Sequence, residues 1–174
     1  FNLDEYLPMP KESEQSYHYF MHHHLFDHID IDPKNIHIPD GTLKAEEIEN
    51  FCKEYERQIE AAGGIDIQVL GIGRTGHIGF NEPGSPLTSK TRMVYLDDLT
   101  IKDAAGDFGG MENVPSRAIT MGVGTIMKAR KVILLAWGEK KASIIKATVE
   151  GSVSDAVPAT FLQVHPNVQF VDDE

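Results

Sequence analysis

The sequence predicts an α/β domain with a mainly parallel sheet, and three observations support this fold class. Apolar, β-branched runs alternate with segments of helical periodicity, glycines separate the two kinds of segment, and one long loop is rich in glycine. Strands that alternate with helices favour right-handed crossovers and parallel pairing. With 174 residues the chain can bury one hydrophobic core, so we expect a single domain over residues 1–174.

The first part of the chain predicts a short strand end, two helices and a strand. Phe1 and Asn2 are typical of a strand that runs into a loop. Helices are expected near 16–28 and over 43–62, the second ending at a glycine pair. Residues 65–70 form an apolar run of strand length. Apolar side chains recur in the second helix at spacings of three and four, namely Ile48, Cys52, Tyr55 and Ile59.

The second part continues the alternation of strands and helices. Residues 131–137 are β-branched and apolar, which is typical of a strand buried on both faces. The other expected elements are strands at 92–96, 118–121 and 168–171, and helices at 99–105, from Thr125 onward and between Gly138 and Gly151.

Composition limits the partners. A formal net charge of −11 argues against nucleic acid, because phosphate neutralisation needs clustered lysine and arginine. No window approaches the roughly 18 apolar residues of a membrane helix, so no membrane association is expected. The single cysteine, Cys52, cannot form an internal disulfide and fits a cytoplasmic location. A small phosphorylated ligand remains compatible with the charge, since it needs only a local positive pocket.

The loop from Gly71 to Ser85, GIGRTGHIGFNEPGS, carries the strongest functional signal. Its glycines allow a close approach of the backbone to a ligand. His77 can accept and donate a proton near neutral pH, and Glu82 can orient it. The loop lacks the lysine of a P-loop. Asp4, at the predicted end of the first strand, is a candidate general base, although a solvated turn or helix cap explains it as well.

Two other groups of residues, around Lys141 and around His22, each have a functional and a structural interpretation. Lys141 begins a predicted helix, where a lysine and the backbone amides can bind phosphate, although a solvated helix lysine is an equal alternative. His22, His23 and His24 are consecutive, so on a helix they diverge by about 100° per residue and cannot share one metal ion. We therefore expect no metal site, and expect the aromatic residues around them to form core or a subunit contact.

Five segments, taken together and in order, resemble the glucosamine-6-phosphate deaminase/isomerase family: FNLDEY, PKESEQSYHYFM, GIGRTGHIGFNEPGS, VPSRAITMGVGTI and HPNVQF. The similarity extends over essentially the whole chain. It implies a Rossmann-like three-layer fold and the conversion of glucosamine 6-phosphate and water to fructose 6-phosphate and ammonia. It also implies that no cofactor is needed and that the protein is a homo-oligomer.

The resemblance implies roles for individual residues. Asp4 matches the carboxylate that moves a proton between C2 and C1 of the sugar. His77 matches the imidazole that opens the ring, and Glu82 the acid that supports it. Substrate-binding positions fall on Lys141, Gly73, Thr75 and Gly76, and two positions of the allosteric phosphate site fall on Ser85 and Arg92.

The sequence also departs from the family pattern. Thr75 stands where an acid is usual, and no arginine occurs near 105–107, where a phosphate-binding arginine is expected; Arg117 is no confident substitute. Val94 and Tyr95 replace other allosteric ligands, so we predict weak or absent activation. The family's phosphate loop is expected before Phe1, which predicts a chain truncated at both ends and nearly inactive by itself.

Two other functions remain open. A sugar-phosphate lactonase on the same scaffold would not need a carboxylate for carbon deprotonation, so Asp4 argues against it. A non-catalytic sugar-phosphate-binding or regulatory domain is favoured by Thr75 and the missing arginine. Asp4, His77 and Glu82 oppose that alternative.

Overall fold

The computed structural model describes residues 1–173, and these form two compact units. The first unit combines residues 1–55 with 92–120, and the second combines 56–91 with the chain from Met121 onward. The structure has the predicted α/β character, with a parallel sheet in the second unit and an antiparallel sheet in the first. That the whole chain is one domain stays a prediction.

The first unit is built on a three-stranded antiparallel sheet with the order β1-β4-β3. Its strands are β1 (Asp4–Leu7), β3 (Arg92–Tyr95) and β4 (Arg117–Thr120). The strand expected to end at Asn2 therefore begins only at Asp4, because its hydrogen bonds are made with β4 in the register Asp4 to Thr120. This antiparallel sheet was not predicted, since its strands are separated by long stretches of sequence.

The two faces of this sheet have different roles. Leu7, Ile119 and the partly buried Met93 lie on one face and pack against helix α2 (Ala45–Ala61) through Ile48 and Cys52. Side chains of successive strand residues point to opposite faces. Asp4, Thr120 and Arg92 are paired across the three strands, so they share the other face.

Helix α1 (Tyr17–His24) follows β1 and is held at its N-terminus by side chains. Ser16 is the N-cap, and its hydroxyl accepts a hydrogen bond from the backbone N–H of Tyr19 at 2.9 Å. No residue of α1 is fully buried, and Phe20 is 50% exposed. Phe20 therefore does not belong to the core, and the alternative of a subunit contact stays a prediction for this residue. Helix α3 (Asp98–Ala104) completes the regular elements of this unit.

The second unit contains a three-stranded parallel sheet with the order β2-β5-β6. Its strands are β2 (Ile67–Leu70), β5 (Lys131–Ala136) and β6 (Val168–Asp172). Burial alternates along β5, with Val132 and Leu134 fully buried and the residues between them only partly covered. The prediction that β5 is buried on both faces therefore holds in full for one face, whereas the other face is only partly covered.

Two helices accompany the parallel sheet. Helix α4 (Val123–Ile126) is short and mostly buried, and α5 (Ala142–Glu150) follows a 3₁₀ turn at Glu139–Lys141. Within residues 1–173, no helix combines the length and apolar character required to cross a membrane.

Candidate active site

The glycine-rich loop follows β2 directly, at the carboxyl edge of the parallel sheet. Gly73 N–H donates to the His77 carbonyl at 3.0 Å, and Gly76 N–H donates to the Gly73 carbonyl at the same distance. Gly76 has a φ of 79°, a region that residues with a Cβ rarely adopt. These bonds fold the segment into a tight turn that presents His77. In parallel sheets of this kind, ligands bind at the carboxyl edge.

Three side chains of this loop meet at one point. His77 Nδ1 lies 3.1 Å from Glu82 Oε2 and 3.0 Å from Thr75 Oγ1. The Thr75 hydroxyl donates to the same Glu82 oxygen at 3.2 Å. The side chains of His77 and Glu82 are only 18% and 13% exposed. The sequence-based pairing of His77 with Glu82 is thus found in the structure, with Thr75 as a third member.

Gly73 contributes space rather than a functional group. A Cβ added at this position would overlap the Cε1 and Nε2 atoms of the His77 ring. The imidazole therefore lies against the Cα of Gly73, where only glycine leaves room for it. Gly71, in contrast, has open space around the position of a Cβ. Gly73 was predicted to bind substrate, and the structure gives it this additional part in placing His77.

Asn81 anchors the loop, and sequence reasoning missed it. Its side chain is fully buried, and its amide donates to the Ile78 carbonyl at 2.9 Å and to the Met121 carbonyl at 2.8 Å. The bond to Ile78 closes the segment between His77 and Glu82 on itself, and the bond to Met121 ties this segment to the start of the buried stretch that leads into α4. The sequence shows an asparagine between two candidate catalytic residues, but its burial and its partners became visible only in the structure.

Lys141 lies at the start of α5, as predicted, and its ammonium points back to the glycine-rich loop. Lys141 Nζ donates to the Ile72 carbonyl at 2.7 Å. A cavity of about 410 Å³ adjoins it, lined by residues from the ends of β5 and β6 and the start of α5, among them Gly138, Ala142 and Asp172. Lys141 is therefore placed beside the turn that carries His77.

Asp4 belongs to the first unit and opens β1, instead of following a strand as the sequence suggested. Burial, followed by the negative charge of Glu5, raises the pKa of Asp4 to about 7. A carboxylate with a pKa near 7 can both accept and release a proton at physiological pH. The structure thus gives Asp4 the acid–base character of a proton-transfer residue.

The surroundings of Asp4 include the buried Tyr6, the partly buried Tyr17 and a second carboxylate. The rings of Tyr6 and Tyr17 stack with centroids 5.5 Å apart. Burial raises the pKa of Tyr6 to about 12, and burial and the charge of Asp4 raise the pKa of Tyr17. Glu5 is 1% exposed and accepts backbone N–H bonds from Tyr17 and His18 at 3.1 and 2.9 Å. Neither tyrosine was assigned a catalytic role from the sequence.

The two predicted allosteric residues belong to different units. Arg92 opens β3 and shares the sheet face of Asp4, and burial lowers the pKa of its guanidinium. Ser85 is buried at the end of the glycine-rich loop, where its N–H donates to the Glu82 carbonyl at 3.0 Å. Arg117 lies in the cross-strand row of Leu7, on the sheet face opposite Asp4.

The consecutive histidines of α1 are engaged in local contacts. His22 Nδ1 lies 2.9 Å from Asp27 Oδ1, and the rings of His18 and His22 stack at 4.6 Å. His28 Nε2 lies 2.7 Å from the His23 carbonyl. Among residues 1–173 no cluster of three histidine, cysteine or acidic side chains is arranged to hold a metal ion.

Comparison with known proteins identifies the family. The family model for glucosamine-6-phosphate isomerases and 6-phosphogluconolactonases matches residues 1–170. The chain is 51% identical over its whole length to a glucosamine-6-phosphate deaminase of Thermoanaerobacter pseudethanolicus, of which it covers 68%. It is 56% identical to the deaminase of Shewanella woodyi and covers 65% of it. The chain thus spans about two thirds of the length of these relatives.

A solved structure supports the same assignment. It is described as a monomeric glucosamine-6-phosphate deaminase, and it superposes with a TM-score of 0.95 at 39% identity, over 99% of this chain and 71% of the other. This match confirms the predicted Rossmann-like α/β fold. The similarities also confirm the predicted resemblance and the prediction of a deaminase-like enzyme. The chain belongs to the family of glucosamine-6-phosphate isomerases and 6-phosphogluconolactonases.

Proposed function

We propose that this protein converts glucosamine 6-phosphate and water to fructose 6-phosphate and ammonia. The observation that supports this most strongly is the hydrogen-bonded pair of His77 and Glu82, held in a tight glycine-rich turn at the carboxyl edge of a parallel sheet. The deaminases that match this chain at about half identity favour the same substrate.

In the proposed reaction, His77 takes the proton of the anomeric hydroxyl and returns it to the ring oxygen, which opens the pyranose. Glu82 stabilises the imidazolium that forms between these two transfers. Asp4 then removes the proton from C2, while the aldehyde oxygen at C1 takes up a proton given up by the amino nitrogen. Asp4 delivers its proton to C1, so that C1 becomes a hydroxymethyl group and C2 a ketimine. Water adds to the ketimine carbon, its protons pass to the nitrogen, and ammonia leaves as the C2 carbonyl of fructose 6-phosphate forms. A carboxyl group with a pKa of about 7 is suited to both halves of the C2-to-C1 transfer.

Lys141 is proposed to bind the phosphate group of the sugar. Its ammonium lies beside the turn of His77, with one hydrogen bonded to the Ile72 carbonyl. A fixed phosphate uses binding energy remote from the reacting atoms to hold C1 and C2 in place. The backbone of Gly73, Thr75 and Gly76 is proposed to contact the sugar. Ser85 and Arg92 are proposed as remnants of a weak regulatory phosphate site.

The test is the release of ammonia and fructose 6-phosphate from glucosamine 6-phosphate by the natural full-length protein, with 6-phosphogluconolactone as a second substrate. Equal amounts of both products support the proposal, and Asp4→Asn is then expected to abolish proton exchange at C2 while leaving binding roughly intact. Hydrolysis of the lactone without release of ammonia would contradict the proposed deaminase and show that the protein is a lactonase. Binding by calorimetry with neither activity would indicate a regulatory domain.

Assembly and location remain proposals as well. We propose a cytoplasmic homo-oligomer, although one solved relative is described as monomeric. Sedimentation of the full-length protein measures the assembly state directly. A monomer at micromolar concentration would contradict this part of the proposal without touching the chemistry.

A further inference from the structure

The contacts around His77 restrict where its proton can be. Thr75 Oγ1, His77 Nδ1 and Glu82 Oε2 lie within 3.0–3.2 Å of one another. An ionised carboxylate only accepts hydrogen bonds, a hydroxyl has one hydrogen to donate, and a neutral imidazole carries its hydrogen on one nitrogen. The three contacts must therefore share two hydrogens.

Only one arrangement satisfies all three contacts. If Nδ1 carries the hydrogen, it is shared by Oγ1 and Oε2, while the Thr75 hydroxyl donates to Oε2. If the hydrogen is on Nε2 instead, the lone pair of Nδ1 faces the lone pair of Glu82 Oε2 at 3.1 Å, and that contact becomes repulsive. The side chains of His77 and Glu82 are largely buried, so water compensates little for the loss.

We propose that Thr75 is a positioning residue, whose hydroxyl fixes Glu82 Oε2 against His77 Nδ1 and so holds the neutral imidazole with its hydrogen on Nδ1 and its lone pair on Nε2. The missing side chain of Gly73 leaves the space in which the imidazole ring lies. Threonine can do this without adding a second negative charge, so Glu82 supplies the only carboxylate of the three side chains.

The meaning of this arrangement for catalysis rests on the proposed function. Ring opening begins with the removal of a proton from a sugar hydroxyl, which requires an unprotonated ring nitrogen. With Nδ1 engaged by Thr75 and Glu82, Nε2 is the basic atom. The Thr75 hydroxyl then contributes to the rate of ring opening through His77 and Glu82, and its loss is expected to reduce kcat more than it raises KM, because the backbone of Thr75 is unchanged.

The tautomer is measured by ¹⁵N NMR of the full-length protein labelled on its histidine rings. The His77 signals are assigned by their disappearance in His77→Gln. We expect a pyrrole-type Nδ1 and a pyridine-type Nε2 in the neutral ring of the wild type and of Thr75→Ser, which keeps the hydroxyl. In Thr75→Val, which keeps the shape and loses the hydroxyl, the fraction with hydrogen on Nε2 should rise several-fold. Thr88→Val, at an exposed threonine outside the cluster, is the matched control.

The outcomes separate this inference from the proposed function. A wild-type ring protonated on Nε2 overturns it, as does a Thr75→Val protein with an unchanged tautomer ratio and unchanged kcat. If Thr75→Val does not fold, the tautomer in the wild-type spectrum is the remaining test, and hydrogen on Nε2 there would overturn the inference. A Nδ1-protonated ring in a protein without deaminase activity supports the positioning role and rejects only the reaction. In an active enzyme, Thr75→Val should lower kcat by about tenfold or more, with recovery in Thr75→Ser.

Discussion

At the residue scale, Asp4 shows how burial prepares a carboxylate for proton transfer. The pKa of its carboxyl is raised to about 7 by loss of solvation and by the charge of Glu5. The folded protein therefore keeps a proton on Asp4 at pH values where the unfolded chain has lost it. The same burial that suits the chemistry makes the ionised form costly for the fold.

Replacing Asp4 with asparagine is expected to stabilise the protein, increasingly so at higher pH. Between about pH 4 and 7 the folded state binds more protons at this site than the unfolded state, so the stability contributed by Asp4 falls as the pH rises. The difference between 3.8 and about 7 corresponds to on the order of 4 kcal/mol once both states are ionised. Urea unfolding of Asp4→Asn and wild type at pH 5 and pH 8 measures the gain, with exposed Asp30→Asn as control. An equal difference at both pH values would contradict the raised pKa.

The close approach of Gly73 and His77 predicts a second effect of a single residue. Gly73→Ala places a methyl group in the volume of the imidazole, so the ring must move. A displacement of about 1 Å at a catalytic group costs on the order of 100-fold in kcat. Gly71→Ala is the matched control, because open space surrounds that position. Steady-state kinetics of the two variants compares them, and equal activities would show that His77 is not required in its observed position.

The chemistry of single residues was easier to predict than their contacts. The acid–base residues His77 and Glu82 stood out because their side-chain types and the glycines around them are visible in the sequence. The structural roles of Thr75 and Asn81 depend on hydrogen bonds that form only when the chain folds. A hydroxyl or an amide has the same identity in a solvated turn, so its type alone did not predict its role.

At the scale of elements, helix α1 depends on the carboxylate of Glu5. The first N–H groups of a helix have no partner within it. Glu5 accepts from the N–H groups of Tyr17 and His18, and also from the N–H of Tyr6 at 2.9 Å. Burial raises the pKa of Glu5, and the three N–H donors oppose this shift. One buried side chain thus joins the start of α1 to the strand that carries Asp4.

Substituting Glu5 with glutamine is expected to destabilise the first unit by about 1–3 kcal/mol. The amide nitrogen that replaces one carboxylate oxygen cannot accept, so at least one buried N–H loses its partner. Glu14→Gln, on an exposed position of the same segment, should change the free energy of unfolding by less than about 0.5 kcal/mol. Chemical denaturation measures both values. Equal effects would mean that Glu5 contributes no more than a solvated carboxylate.

The elements that were predicted well are those with strong local patterns. In α2 the expected apolar positions, including Tyr55 and Ile59, are indeed buried. The start of β1 was wrong because strand limits are set by hydrogen bonds to β4, more than 100 residues further along the chain. The composition of β5 indicated a strand but not that one of its faces is less covered.

At the scale of the molecule, the parallel sheet has two unlike faces. Val132 and Leu134 are fully buried on one face, whereas Ile67 and Val69 of the edge strand are 57% and 50% exposed on the other. Parallel sheets are usually covered on both faces, since their strands are apolar throughout. The exposed valine and the buried valine lie in adjacent strands, which makes them a natural pair for comparison.

Truncating each valine to alanine is expected to give different results. Val132→Ala removes about two buried carbon atoms and leaves a cavity, which should cost about 2 kcal/mol. Val69→Ala should cost less than about 0.5 kcal/mol, because its side chain already contacts solvent. The measurement is the free energy of unfolding from urea titration at several protein concentrations. A large, concentration-dependent cost at Val69 would show that a second copy covers this face and would support the proposed homo-oligomer.

The bond between Lys141 and the Ile72 carbonyl connects ligand binding to backbone motion. An ammonium has three hydrogens, and only one of them is needed for this carbonyl. An anion held by the other two would lock the ammonium in place and, through it, the first residues of the glycine-rich turn. Sugar phosphate should therefore slow amide hydrogen exchange at residues 72–77, and Lys141→Met should remove this slowing. Binding of the sugar's phosphate group at Lys141 would thereby also restrict the motion of the His77 imidazole, which acts at the opposite end of the sugar.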